Sequence, residues 1–165
     1  MFIAFDQISD AARVWIYQAN RPLSDGETAG IEKALAQTIT DWNAHGQPLL
    51  GSAKVIYNRF VVIAADETAN QPSGCSIDAS TRWIRQIGEQ ADIDFFDRSV
   101  AFVGKNGIET VAVGEAKHAV LSQRIAPNTP TFNNLVKTKA ELLQNWETPA
   151  VESWLKRFFI VKQMV

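Results

Sequence analysis

Residues 60–65 read Phe-Val-Val-Ile-Ala-Ala, the longest uninterrupted apolar run in the chain. Six residues are far fewer than the roughly 20 that a membrane-spanning helix needs. A run that is apolar on both faces is typical of a central strand covered on both sides of its sheet. We therefore expect an α+β protein with this run at the centre of a sheet.

Helix and strand signals surround the central run in a regular order. We predict strands at 12–19, 52–57, 60–65 and 98–103 and helices at 24–44 and 76–90. The resulting order of strand, helix, strand, strand, helix, strand is the ferredoxin-like split βαββαβ pattern, in which two crossover units lie over one antiparallel sheet. A further strand at 109–113 would extend this sheet at an edge.

The first helix has the strongest local signal. Ser24 and Glu27 form a capping box, in which the serine oxygen accepts a hydrogen bond from the third helical amide and the glutamate reaches back. Apolar residues then recur at spacings of four, four and three, which places them on one helix face: Ile31, Leu35, Ile39 and Trp42. We expect this face to pack into the core.

The length of 165 residues predicts a single domain, with its core at about 10–113 and a C-terminal helical extension at about 114–165. The extension has helix signals at 115–124, 138–146 and 148–159. Both faces of the first strand carry apolar residues, so we expect the C-terminal helices to cover the face that a bare ferredoxin-like unit leaves open. A homodimer partner is the alternative cover.

Composition excludes several classes of function. Sixteen Lys and Arg against eighteen Asp and Glu give a net charge of −2, which supplies no electrostatic attraction to nucleic acid or an anionic membrane, so we expect neither as a partner. A single cysteine excludes an internal disulfide and fits a reducing compartment, so we expect a cytoplasmic protein. We expect no cofactor.

Residues 46–53 have the two glycines of a phosphate loop at the correct spacing. Ser52 stands where the phosphate-binding lysine belongs, and Ala53 stands where the magnesium-binding hydroxyl belongs. This segment also follows a helix and precedes a strand, which reverses the usual context. The pattern argues against nucleotide hydrolysis.

A binding surface is predicted on the first strand and at the following hairpin. Trp15 and Tyr17 share one face of the strand, with Arg13 and Arg59 nearby, and in RNA-recognition domains of this sheet topology such residues stack the bases of single-stranded RNA. The alternative is that both aromatic residues belong to the core.

A thiol site is the rival prediction. Cys75 follows Gly74 at the start of the second helix, where amide dipoles stabilise a thiolate, and His45 is a candidate base. The alternative is that Cys75 is a small core residue.

No two of the histidines and the cysteine have metal-ligand spacing, so we predict no metal site. Asp92, Asp94 and Asp97 alternate with apolar residues, and we interpret them as a solvated acidic turn rather than a cation site.

Five segments together resemble a family of uncharacterised bacterial proteins of about this length from Bacteroidetes. They read Val-Trp-Ile-Tyr-Gln-Ala-Asn-Arg-Pro-Leu at 14–23, Tyr-Asn-Arg-Phe at 57–60, Ser-Gly-Cys-Ser-Ile-Asp at 73–78, Phe-Phe-Asp-Arg at 95–98 and Phe-Asn-Asn-Leu-Val at 132–136. Some members are labelled ABC-transporter ATPases, a label that the incomplete phosphate loop argues against. The resemblance implies no catalytic residue.

The sequence therefore favours a non-catalytic binding or interaction module for a small molecule or a protein partner. The alternative is a thiol-dependent enzyme that uses Cys75 with His45 as base.

Overall fold

The computed structural model describes residues 1–68 and 74–160, apart from the side chains of residues 75 and 76. The chain forms two compact units, the first comprising Met1–Asp97 and Val136–Glu141 and the second comprising Arg98–Leu135 and the chain from Leu142. The fold class is α+β with antiparallel sheets, as expected. The single-domain assignment stays a prediction.

The first unit contains one main sheet and two long helices. Its elements are β1 (Arg13–Gln18), α1 (Asp25–Thr40), β2 (Asn43–Ala44), β3 (Gln47–Pro48), β4 (Leu50–Ile56), β5 (Phe60–Asp66) and α2 (Gly74–Ala91). The sheet order is β1-β5-β4 and every pairing is antiparallel. Residues 60–65 are fully buried in β5, which confirms the central strand predicted from the apolar run.

The start of α1 has the predicted capping box. The Glu27 amide donates to Ser24 Oγ at 3.1 Å, and the Ser24 amide donates to Glu27 Oε2 at 2.9 Å. Leu35 and Ile39 are completely buried, which confirms the inward face of the helix. The helix ends at Thr40 rather than near residue 44, because the chain turns there into the short β2–β3 ladder.

The predicted completion of this sheet by 98–103 is wrong. That segment forms β6 (Val100–Gly104), which belongs to a separate sheet in the second unit. The free edge of β1 is instead paired at both ends by other segments of the first unit. Phe96 bridges to Gln18, and Thr138 bridges to Arg13. A fourth strand would need the same edge groups, so the sheet stops at three main strands.

Both faces of the first sheet are buried. The helix-facing side contains Tyr17, Val61 and Ile63, and the opposite side contains Val14 and Phe60. That the C-terminal helices or a homodimer partner covers the second side stays a prediction.

The second unit contains a four-stranded sheet of shorter strands and several short helices. Besides β6, its elements are β7 (Gly107–Val111), α3 (Ala116–Leu121), β8 (Pro130–Phe132), α4 (Lys139–Asn145, whose first residues belong to the first unit), β9 (Glu147–Pro149) and α5 (Lys156–Ile160). The sheet order is β7-β6-β8-β9. Phe102, Ile125 and Leu155 are completely buried in its core.

The C-terminal segment is less helical than predicted. Its residues 148–159 do not form one helix, because Thr148 and Pro149 lie in β9 and pair with β8. The Thr131 hydroxyl donates to the Thr148 carbonyl at 3.0 Å and reinforces that pairing. The helix therefore starts only at Lys156. Within the described part of the chain, no helix is both long enough and apolar enough to cross a bilayer.

The capping box leads to a prediction for acid stability. The hydrogen bond from Arg21 lowers the pKa of the Glu27 carboxyl from 4.5 to about 2, and the backbone of Ser24 adds to this effect. A lowered folded-state pKa contributes stability above the unfolded value, and this contribution is lost as pH falls from about 4.5 towards 2.

We therefore expect Glu27→Gln to be less stable than wild type in urea melts at pH 7, with the difference shrinking steadily as pH falls through this window. A difference that is constant from pH 7 to pH 2.5 would contradict the assignment. Glu152→Gln, an exposed carboxylate in the second unit, serves as the control.

Candidate functional site

The aromatic residues predicted for binding pack mostly inward. Tyr17 is 9% exposed, and its hydroxyl lies 3.5 Å from the hydroxyl of Ser80 on α2. Trp15 is half-buried and packs against Trp42 at a centroid distance of 6.3 Å, and Trp42 in turn contacts Trp83 at 5.3 Å. These contacts place both strand residues in the layer between the sheet and the helices. Their binding role stays a prediction.

The two predicted arginines lie at opposite ends of β1. Arg13 is exposed, lies over the Trp15 ring at 5.1 Å and is 3.5 Å from Glu67. Arg59 is only 5% exposed, and its Nε donates to the Ala19 carbonyl at 2.8 Å. Burial lowers the pKa of the Arg59 guanidinium, against an opposing effect of Asp97. Arg59 therefore joins the β4–β5 hairpin to the end of β1.

The residues of the thiol hypothesis are only partly described. His45 is exposed in the β2–β3 turn and has a positive φ of 52°. The side chain of Cys75 lies outside the described part of the structure, so its relation to His45 stays a prediction.

A groove of about 360 Å³ lies between the last turns of α2 and residues 92–96, and we call it the α2 groove. Its floor is apolar and buried, and consists of Ile84, Ile93 and Phe95. Its rim is exposed and consists of Arg85, Glu89, Asp92, Asp94 and Phe96.

The α2 groove exists because the chain reverses tightly after α2. Asp92 adopts a positive φ of 54°, and the Ile93 amide donates back to the Gly88 carbonyl at 2.9 Å. A Cβ on Gly88 would collide with the Ile93 carbonyl oxygen, so only glycine allows this close return.

Hydrogen bonds to the end of β1 hold the returning segment in place. The Asn20 amide donates to the Asp94 carbonyl at 2.8 Å, and the Asp94 amide donates to Asn20 Oδ1 at 3.1 Å. The Asp97 amide donates to the Gln18 carbonyl at 3.3 Å. Residues 92–96, which form the outer wall of the α2 groove, are thus hydrogen-bonded to the sheet.

Phe96 is the exposed aromatic residue of the rim, with 40% of its surface accessible. Its ring meets Tyr17 edge-on at a centroid distance of 5.7 Å, and the Arg85 guanidinium lies 5.5 Å from its centroid. Asp94 Oδ1 accepts the Phe96 amide at 2.8 Å. The predicted binding residue Tyr17 therefore supports the rim from beneath.

The rim is predominantly acidic. Three carboxylates, of Glu89, Asp92 and Asp94, stand against the one guanidinium of Arg85. The last turn of α2, which is fully described, has no basic residue to offset the negative end of the helix dipole. Arg21 donates to the Ala91 carbonyl at 3.2 Å, but its guanidinium is also paired with Glu27.

A second groove of about 360 Å³ lies in the second unit between β7 and α3. It is lined by Glu115, His118, Ser122 and Arg124, among others. Arg124 is 3.4 Å from Glu109. None of the predicted site residues borders this groove.

Sequence reasoning singled out Asp92 and Asp94 of the α2 groove, but neither Glu89 nor the groove itself. The interpretation of Asp92, Asp94 and Asp97 as a solvated acidic turn agrees with the exposure of Asp92 and Asp94, whereas Asp97 is half-buried and accepts a hydrogen bond from Gln18 Nε2 at 3.3 Å. Arg85 and Phe96 gave no separate signal, because their proximity depends on the reversal at Asp92. Among the described residues, no three metal-ligating side chains cluster closely enough to hold an ion.

In comparisons with known proteins, the chain matches no family model, no curated protein and no solved structure, so the candidate site rests on its own geometry.

Proposed function

We propose that the protein is a non-catalytic binding module and that the α2 groove holds its partner. The observation that supports this proposal is the exposed Phe96 ring, supported by Tyr17 and Arg85, beside a buried apolar floor. An exposed aromatic residue beside an apolar depression with polar groups at its rim is typical of recognition sites.

The rigidity of the α2 groove also favours recognition. Its outer wall is held by the hydrogen bonds of Asp94 and Asp97 to the end of β1, and its inner wall is the helix. A wall that is already ordered loses less conformational entropy when a partner binds.

A fragment screen monitored by ¹⁵N–¹H NMR tests the proposal. We expect fragment hits to shift the amides of residues 84–96, and we expect Phe96→Ala to abolish these shifts. Leu135→Ala removes an apolar side chain that is 84% exposed in the second unit, and it should leave them unchanged. Hits that shift only the amides around His118 and Ser122 would overturn the proposal in favour of the second groove.

The thiol-dependent enzyme remains the alternative proposal, because α2 begins at Gly74 and Cys75 therefore falls in its first turn. If the protein is a binding module, we expect the native protein to react with iodoacetamide no faster than the unfolded chain at neutral pH. An enzyme needs a thiolate whose pKa lies below the ordinary value of about 8.5. A native rate that levels off below about pH 7 and then shifts upward in His45→Ala would favour the enzyme.

We also propose that the first unit is a three-stranded variant of the ferredoxin-like arrangement. The order β1-β5-β4 supports this, because it places the second strand of the hairpin between the other two strands. The single cysteine supports a cytoplasmic location, and the five quoted segments support membership of the Bacteroidetes family.

A further inference from the structure

We infer that the α2 groove takes a cationic side chain, an arginine or lysine within an unstructured segment of a partner protein. This inference rests on the proposed function of the groove and adds the chemistry of its partner. It comes from the groove's shape and charge together.

Charge selects the sign of the occupant. Glu89, Asp92 and Asp94 border the α2 groove, and Arg85 is the opposing cation on its rim. The C-terminal end of the 18-residue helix α2 adds partial negative charge at the same place, which the hydrogen bond from Arg21 to the Ala91 carbonyl reduces in part. An anionic ligand would be repelled by the three carboxylates and by the end of the helix, whereas a cation would be attracted by them.

Shape selects a side chain with an apolar stem. The floor of Ile84, Ile93 and Phe95 is apolar, and the carboxylates lie on the rim above it. Arginine and lysine pack their methylene stems on apolar surface while the charged head stays near solvent and carboxylates. The volume of about 360 Å³ lies near the lower limit for a small ligand and suits one side chain with its adjoining backbone.

Phe96 gives the guanidinium or ammonium head a further contact. The ring is 40% exposed and already holds Arg85 at 5.5 Å, which shows that its environment accommodates a cation. Arg85 therefore competes with an incoming cation for the same rim. Removing the charge of Arg85 is expected to strengthen binding of the cation, whereas removing a carboxylate is expected to weaken it.

The probes are three short peptides of equal length, containing arginine, its uncharged isostere citrulline, or glutamate. Each is titrated at low salt into the full chain, and the amide shifts of residues 84–96 are followed by NMR. We expect the arginine peptide to bind saturably, with a Kd roughly 10-fold lower than that of the citrulline peptide. The glutamate peptide should not shift these amides, and added salt should weaken the arginine peptide.

Variants of the rim assign the effect to individual groups. Glu89→Gln and Asp92→Asn should each raise the Kd of the arginine peptide by about 2- to 5-fold. Asparagine is chosen at position 92 because it tolerates the positive φ of 54° found there. Arg85→Gln should lower the Kd, and the control Glu152→Gln in the second unit should leave it unchanged.

The outcomes separate the two proposals. Equal binding of the arginine and citrulline peptides, or neutral fragments that bind while the arginine peptide does not, would overturn the cationic inference and leave the binding site in place. If neither peptides nor fragments shift residues 84–96, both proposals are wrong. Both proposals would be supported if the Kd of the arginine peptide rises in the Glu89 and Asp92 variants and falls in the Arg85 variant.

Discussion

Replacing Leu35 with alanine is expected to lower the free energy of unfolding by about 2–5 kcal/mol. Leu35 is completely buried on the face of α1 that packs against β4, in a core that also contains Val61 and Ile63 of β5. Its removal loses both the transfer free energy of the side chain and the contacts around the cavity that remains. Urea melts followed by the circular dichroism of the helices measure the loss.

The matched comparison is Ser24→Ala, which removes the cap of the same helix. Because the serine oxygen accepts a single exposed hydrogen bond from Glu27, we expect a loss of only about 1 kcal/mol. Equal losses in the two variants would mean that packing of α1 contributes no more than its cap, contrary to the burial of Leu35.

Replacing Arg59 with methionine is expected to cost about 3 kcal/mol. The change leaves the Ala19 carbonyl without the 2.8 Å hydrogen bond from Nε, and Asp97 loses a nearby positive charge. Arg59→Lys keeps the charge but lacks the guanidinium geometry, so it should recover only part of the loss.

Arg13→Met is the control for Arg59, because both arginines were predicted to bind a ligand. Arg13 has a 45% exposed side chain and an exposed ion pair of 3.5 Å with Glu67, so its loss should change stability by about 0–1 kcal/mol. If Arg59→Met has the same urea midpoint of unfolding as the wild type, the structural role of Arg59 is contradicted and a role in binding becomes the better explanation.

Substitutions in the α2 groove differ in whether they disturb the fold as well as binding. The α2 groove depends on Gly88, since any side chain there would push the returning segment away from the helix. Changes at Gly88 would therefore alter stability and recognition together. Changes at Glu89 or Phe96 remove rim groups that are exposed, so they can test recognition separately.

The sequence alone predicted the elements that depend on interactions between residues close together in the chain. The apolar run at 60–65 predicted a buried central strand, because a strand apolar on both faces needs cover on both. Ser24, Glu27 and Leu35 predicted the start and the buried face of α1, because caps and helical periodicity act within a few residues. The turn between β6 and β7 also has a local cause, because Asn106-Gly107 is a typical hairpin sequence.

Only the tertiary structure decided which strands share a sheet and where a groove forms. The sequence of residues 98–103 predicts a strand but not the strand with which it pairs, because the backbone hydrogen-bonding groups are the same in every strand. In the structure, Phe96 and Thr138 bridge to the edge of β1, and β6 pairs with β7 and β8 instead. The proximity of Arg85 to Phe96 likewise depends on the reversal at Asp92, which brings residues eleven positions apart onto one rim. Contacts of this kind are set by how elements pack, and packing depends on the whole chain rather than on any local pattern.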